Sequence, residues 1–214
     1  MSTALIVFAK APVPGQAKTR LIPALGAEGA ARLAEQLLQH TLRQVRDAPV
    51  DHLALCVAPD THHPVFEQAR QAVGERLHLA PQGDGDLGER MHRALSRALA
   101  RHHKALLIGT DAPALNAQVL AAAGAALDSH DAVFVPALDG GYALIGLTRP
   151  APELLLGMAW STPQVMEHTR ERARRHGWRW AELAPVADID EAADLVHLPA
   201  GWPSTHSHFS GDFA

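Results

Sequence analysis

Five stretches of this 214-residue chain bring together residue types that bind phosphate or a divalent cation. The first is Lys10-Ala-Pro-Val-Pro-Gly-Gln-Ala-Lys-Thr-Arg-Leu21, with the cations Lys10, Lys18 and Arg20 inside eleven residues. An Arg guanidinium grips phosphate oxygens in a two-pronged contact, and a Lys ammonium acts as a mobile point charge. Pro14-Gly15 sets a turn with accessible backbone N–H groups. The stretch lacks both the Gly-Lys-Ser/Thr ending of a P-loop and the Gly-x-Gly-x-x-Gly dinucleotide pattern. A plain solvated basic loop is the competing reading.

The second stretch, Gln82-Gly-Asp-Gly-Asp-Leu-Gly-Glu-Arg-Met91, has glycines at 83, 85 and 88 where a loop enters a helix. Asp86 with Glu89 three residues later reads as a capping box, while the glycines suggest close approach of a ligand such as a base or ribose. Gln82, Gly83, Asp86 and Gly88 are therefore candidate ligand contacts. The third stretch, Gly109-Thr-Asp-Ala-Pro113, places Asp111 at a strand's carboxyl end, where it can hold Mg²⁺ or Mn²⁺ or simply cap a turn. The fourth, Asp139-Gly140-Gly141, has the composition of a hairpin turn. Its functional reading sets Asp139 and the glycine backbone against the acceptor or the transferred group. In the fifth, Asp188 and Asp190 share one face if extended and reach one cation, or else supply negative charge to a helix start.

These residues need elements to position them. Short apolar runs predict strands over 4–9, 52–58, 77–80, 105–108, 132–135, 142–147 and 178–183. Helical spacing predicts helices over 28–46, 64–73, 87–103, 118–127, 162–176 and 191–196. The first has Leu33, Leu37, Thr41 and Val45 on its inner face; the third has Leu87, Met91, Leu95 and Leu99. Residues 132–135 and 142–147 form either a hairpin or consecutive strands. Trp160-Ser-Thr-Pro163 reads as a helix start, with Ser161 or Thr162 capping and Pro163 in the first turn. Alternating strands and helices predict a single α/β domain over 1–198, a mainly parallel sheet with helices on both faces, and an irregular tail over 199–214. In such sheets ligands bind beyond the carboxyl ends of the strands, where four of the five stretches fall.

Composition narrows the function. Apolar residues make up 47% and charged residues 20%, ordinary values for a globular protein, and the formal net charge of −4 offers no broad attraction to nucleic acid or an anionic membrane. No apolar run is long enough to span a bilayer. Cys56, the single cysteine, reads as a buried core residue. A cytoplasmic location is expected. No histidine pair has the spacing of a zinc site, and no Gly-x-Ser-x-Gly elbow points to a nucleophilic hydrolase.

The ordered set of motifs resembles a bacterial family of radical-SAM/selenodomain-associated transferases in the glycosyltransferase-A superfamily. The resemblance runs from about Leu5 to Leu195. It rests on Ala9–Gly15 with Lys18-Thr-Arg-Leu21, on Gln82–Arg90, and on Gly109-Thr-Asp-Ala-Pro113. Asp139-Gly-Gly-Tyr142 with Leu144-Ile-Gly-Leu147, Trp160-Ser-Thr162, and Asp188-Ile-Asp190 with Asp194-Leu195 extend it. Lys18-Thr-Arg-Leu21 is also similar to a segment of 2-phospho-lactate guanylyltransferases. The resemblance implies a nucleotide-diphospho-sugar transferase fold, a nucleotide-sugar or NTP as donor, Mg²⁺ or Mn²⁺, and a small-molecule acceptor. Many enzymes of that fold hold metal with Asp-x-Asp after a central strand; here Asp111 stands alone, so either Asp188 or Asp190 supplies the second ligand or the metal is held weakly. The leading expectation is glycosyl transfer, with Lys18 and Arg20 on the diphosphate, Asp111 with Asp188 or Asp190 on the metal, and Asp139 as general base. Nucleotidyl transfer releasing pyrophosphate is the second expectation. A non-catalytic nucleotide-binding protein on the same fold is the third.

Overall fold

The computed structural model describes residues 1–202. Apolar residues continue along β1 (Thr3–Lys10), so the strand must be covered on both faces. Leu5, Val7 and Ala9 enter one core, and Ala4, Ile6 and Phe8 enter another on the opposite face. The long α1 (Ile22–Arg46) follows, then β2 (His52–Ala58), α2 (Pro64–Val73), β3 (Leu77–Pro81) and α3 (Leu87–Leu99). Next come β4 (Lys104–Ile108), α4 (Ala117–Ala126), β5 (Ala132–Pro136) and β6 (Tyr142–Leu147). The order ends with α5 (Pro152–Leu155), α6 (Val165–Arg175) and β7 (Trp180–Glu182). Short 3₁₀ helices cover Thr19–Leu21 and Ala192–His197.

The seven strands form one sheet in the order β3-β2-β1-β4-β6-β5-β7. β1 pairs in parallel with β2 and β4, β2 with β3, and β5 with β7. β6 runs antiparallel between β4 and β5, so the 132–147 segment is a hairpin. The mainly parallel α/β architecture is thus as expected, with one reversed strand. Residues of α1, α2 and α4 pack on one face of the sheet, and those of α3, α5 and α6 on the other. Among the described residues no helix is long and apolar enough to cross a membrane.

Some local expectations hold and others change. Residues 22–46 form one long helical segment, but Gly26 is non-helical (φ 70°, ψ 167°), so regular helix begins close to the expected Glu28. Leu87 is exposed rather than on the buried face of α3, whose last turn ends at Leu99 because the chain turns there toward β4. Ser161 and Thr162 do not cap α6: Ser161 has φ 60°, Thr162 Oγ1 donates to the Ala159 carbonyl, and the helix starts at Val165. The four-residue α5 is too short for helical spacing to reveal it. Cys56 is buried, and that burial pushes its thiol up to about 11. Of the tail expected over 199–214, residues 203–214 lie outside the described residues.

Candidate active site

A cleft of about 840 Å³ opens at the carboxyl ends of β1 and β4. Its walls come from the loop after β1, the end of β4, the β5–β6 hairpin, residues 160–163 and the 188–191 segment. This is the place where a parallel sheet leaves backbone and loops free for ligands.

The loop after β1 carries the cations. Lys10 Nζ donates to the Gln16 carbonyl at 3.0 Å. Gln16 and Ala17 N–H both donate to the Val13 carbonyl, so the Pro14-Gly15 turn is closed on itself rather than offering those two N–H groups. Gly15 (φ 78°) makes the turn and lies outside the cleft lining. Lys18 sits in the left-handed region (φ 48°), and its side chain is only 6% exposed. Its ammonium lies 2.6 Å from Asp111 Oδ1 and 3.0 Å from Asp190 Oδ1, and it also donates to the Ile189 carbonyl. Burial alone would lower the Lys18 pKa, but the two carboxylates outweigh it and hold it above its ordinary value. Arg20 is half-exposed, with its guanidinium 3.5 Å from Asp190 and 3.7 Å from Glu191.

Two anchors fix the carboxylates. The Ile189 N–H donates to the Asp111 carbonyl at 2.8 Å, which ties the 188–191 segment to the end of β4. Asp194 Oδ2 accepts from the Asp190 and Glu191 N–H groups and caps the following 3₁₀ turn. Asp188 titrates far above the usual carboxylate range, at about 6, because burial disfavours its charge and Asp139, Asp190 and Asp194 repel it. Asp139 Oδ1 accepts from the Gly141 N–H and closes the hairpin turn. Asp111 and Asp190 therefore meet through Lys18, while Asp188 shares its field with Asp139. Among the described residues, no three His, Cys, Asp or Glu side chains are grouped to hold a metal ion.

The glycine-rich stretch behaves differently from expectation. Gln82 lines the cleft, but its amide NH₂ donates at 3.1 Å to both the Ala9 and Cys56 carbonyls. Gly83, Asp86 and Gly88 lie outside the lining. Asp86 and Glu89 form the expected capping box. A Cβ at Gly83 would meet the Arg93 guanidinium, which braces the loop through the Gln82 and Asp84 carbonyls. A Cβ at Gly88 would lie 2.2 Å from the Leu155 carbonyl oxygen, so this glycine lets α3 pack against α5. Gly140 is similar: its Cβ would fall 2.0 Å from the Pro163 carbonyl oxygen, and only Gly141 of the pair lines the cleft.

Sequence reasoning missed the inner wall. Phe8, Met91, Ile145, Tyr142 and Trp160 line the cleft on the α3 side of the sheet. Tyr142 and Trp160 meet edge to face at 6.2 Å, and neither the Tyr142 hydroxyl nor the Trp160 Nε1 has a hydrogen-bond partner. Burial raises the Tyr142 phenol pKa above its ordinary value. The available signal was that Tyr142 is the chain's single tyrosine, placed directly after Gly140-Gly141.

This sheet, with its cleft at the strand ends, is the nucleotide-diphospho-sugar transferase fold. A Desulfovibrio desulfuricans G20 protein assigned to the nucleotide-diphospho-sugar transferases superposes with a TM-score of 0.82 at 32% identity, over 91% of this chain and 85% of that one. Residues 41–162 match the family described as uncharacterized proteins conserved in bacteria (DUF2064), and the chain belongs to that family. Two more distant structures share the fold. The 4-diphosphocytidyl-2C-methyl-D-erythritol synthase of Anaerococcus prevotii has 11% identity and a TM-score of 0.63, over 92% of this chain and 93% of that one. Rv0371C of Mycobacterium tuberculosis, solved in complex with manganese, has 17% identity and a TM-score of 0.55, over 92% and 97%. No curated protein matches the chain.

Proposed function

We propose that the protein is a metal-assisted transferase acting on a nucleotide-activated donor, most simply a nucleotide-sugar, and a small acceptor. The observation that carries this reading is the charge cluster at the strand ends, where cations of the β1 loop meet Asp111 and Asp190 at the mouth of the cleft.

The donor set fits Mg²⁺ or Mn²⁺. Two carboxylates held within reach of one cation, in an open cleft, match ions that take one or two protein carboxylates and fill the remaining positions with phosphate and water. Asp111 and Asp190 would hold the ion; it supplies charge neutralisation on the leaving phosphate oxygens. Asp190 is preferred to Asp188 because it shares a cation with Asp111. The Rv0371C–manganese complex on this fold supports the choice of ion.

The remaining steps belong to the chain's own side chains. Arg20 and Lys10 line the cleft and bind donor phosphate oxygens. Gln82, with its NH₂ already engaged, presents its amide oxygen to a donor group on the base. Asp139 takes the proton from an acceptor hydroxyl as its oxygen attacks the donor's anomeric carbon, and the anomeric C–O bond to the nucleoside diphosphate breaks. The apolar wall around Met91 and Trp160 keeps water from competing as acceptor.

Nucleotidyl transfer is the second reading, favoured by the three cations Lys10, Lys18 and Arg20 that one loop brings to the cleft, a number that suits a triphosphate once Lys18 is freed from its carboxylates. Attack would then fall on the α-phosphorus and release pyrophosphate. A thermal-shift screen against nucleotide-sugars and NTPs, with and without Mn²⁺, tests the shared core of both readings. A ligand at about 100 times its dissociation constant adds roughly 2.7 kcal/mol of stability. A Mn²⁺-dependent shift is expected, with nucleoside diphosphate released on turnover. Pyrophosphate release moves the assignment to nucleotidyl transfer, and cooperative melting with no shift from any nucleotide defeats both.

A further inference from the structure

We propose that the Lys18 ammonium and a divalent cation are alternative occupants of the Asp111–Asp190 pair, so that metal entry releases Lys18 to the donor phosphates. This rests on the reading above that those two carboxylates hold the ion.

An ammonium has three N–H donors. In Lys18 these are spent on Asp111 Oδ1, Asp190 Oδ1 and the Ile189 carbonyl. None remains for a phosphate, and the side chain is 6% exposed, so in this arrangement Lys18 is not a phosphate-binding residue. It does the work of a resident cation and offsets the repulsion between the carboxylates it joins. The carboxylates themselves stay open to the cleft, at 49% exposure for Asp111 and 41% for Asp190. A divalent ion can therefore arrive from the cleft side while Lys18 holds the pair from the buried side. Two cations a few ångströms apart on one carboxylate pair repel each other strongly in a partly buried site. The lysine's four-carbon stem lets the ammonium swing away while the backbone stays in its turn.

The exchange has a thermodynamic consequence. Metal alone must displace Lys18 without compensation for the lost ion pairs, so it binds weakly. When donor phosphates are present, the displaced ammonium gains new partners, and metal and nucleotide strengthen each other by the same factor. Lys18 thus makes the site load both ligands together, which keeps a lone ion from occupying the cleft.

Two measurements test the exchange, neither of which needs turnover. In the wild-type protein, acetylation of Lys18 by acetic anhydride, followed by mass spectrometry, is slow in EDTA. It should accelerate severalfold with saturating Mn²⁺ alone and slow again when nucleotide is added. Electron paramagnetic resonance of free Mn²⁺ should show Lys18→Met binding Mn²⁺ at least tenfold more tightly than wild type in the absence of nucleotide, with the nucleotide enhancement lost. If Mn²⁺ binds to wild type and Asp111→Asn abolishes that binding, yet Lys18 labelling is unchanged, the exchange is wrong and the metal reading stands. If Lys18→Met binds Mn²⁺ no more tightly than wild type, the exchange is likewise wrong. If wild type takes up no Mn²⁺ even with nucleotide, both ideas fall. The labelling arm uses the unaltered chain, so it holds whether or not Lys18→Met folds.

Discussion

Asp188 is the residue whose environment works against its own charge. Burial and the neighbouring carboxylates raise it from about 3.8 in the unfolded chain to about 6 in the fold. Below the unfolded value both states are protonated, and the residue costs nothing. As pH rises through 4 to 6 the unfolded chain releases its proton first, so the folded state is progressively disfavoured, and the cost is complete above about pH 6. Asp188→Asn should therefore be more stable than wild type at pH 7.5, by on the order of 1 kcal/mol once solvent screening of a half-exposed group is allowed for. The advantage should vanish below about pH 4. Urea melts at pH 3.5, 5 and 7.5 measure this; a stability difference independent of pH would show that Asp188 ionises normally. At this scale the sequence revealed the charged residues but not their partners. Lys18, Arg20, Asp111, Asp139, Asp188 and Asp190 all line one cleft because each follows a strand or the last turn of chain above the sheet. That Lys18 spends its donors on Asp111 and Asp190 depends on the approach of a segment 171 residues away, which spacing does not encode.

Elements were legible where burial dictates pattern. The strand at His52–Ala58 and the helix at Pro64–Val73 are where the apolar runs and the Pro and Gly boundaries put them. An apolar run reads the same in either direction, so spacing does not give the direction of β6; the turn that reverses it is set by Asp139 and the two glycines. The glycines were the least legible feature, since their reason lies in what packs against them. Gly140 shows this most clearly: its φ of 91° strains any L side chain, and an added Cβ would strike the Pro163 backbone at 2.0 Å. Neither obstacle can rotate away. Gly140→Ala should cost at least about 2 kcal/mol, the sum of left-handed strain and overpacking. Gly141→Ala meets only the Asp139 side chain, at 3.1 Å and without a positive φ, and should cost clearly less. Equal losses for the two variants in urea unfolding would mean that the hairpin tip is free to move off the 160–163 segment. The same displacement would carry Asp139 away from the cleft, so Gly140→Ala should also lose more activity than Gly141→Ala.

For the molecule as a whole, the cleft exists because the β1 loop and the end of β4 are fastened to the 188–191 segment. The 188–191 segment carries carboxylates to the site from beyond β7, and Ile189 holds it there. The Ile189 side chain is fully buried with Leu21, Leu33 and Leu37, its N–H binds the Asp111 carbonyl, and its carbonyl accepts from Lys18. One residue thus joins the β1 loop, α1, the end of β4 and the C-terminal segment. Ile189→Ala removes the apolar plug and leaves the carboxylates intact; a buried truncation of this size costs about 2–5 kcal/mol. The expected result is a lower denaturation midpoint together with weaker Mn²⁺ and nucleotide binding, measured at a temperature where the variant is still folded. Two outcomes separate the alternatives. If stability falls and ligand affinity does not, Ile189 is an ordinary core residue and the site is positioned by β4 alone. If affinity falls while the midpoint is unchanged, the C-terminal segment is a locally folding element that docks on an already stable sheet, and ligand binding then carries the free energy of closing it.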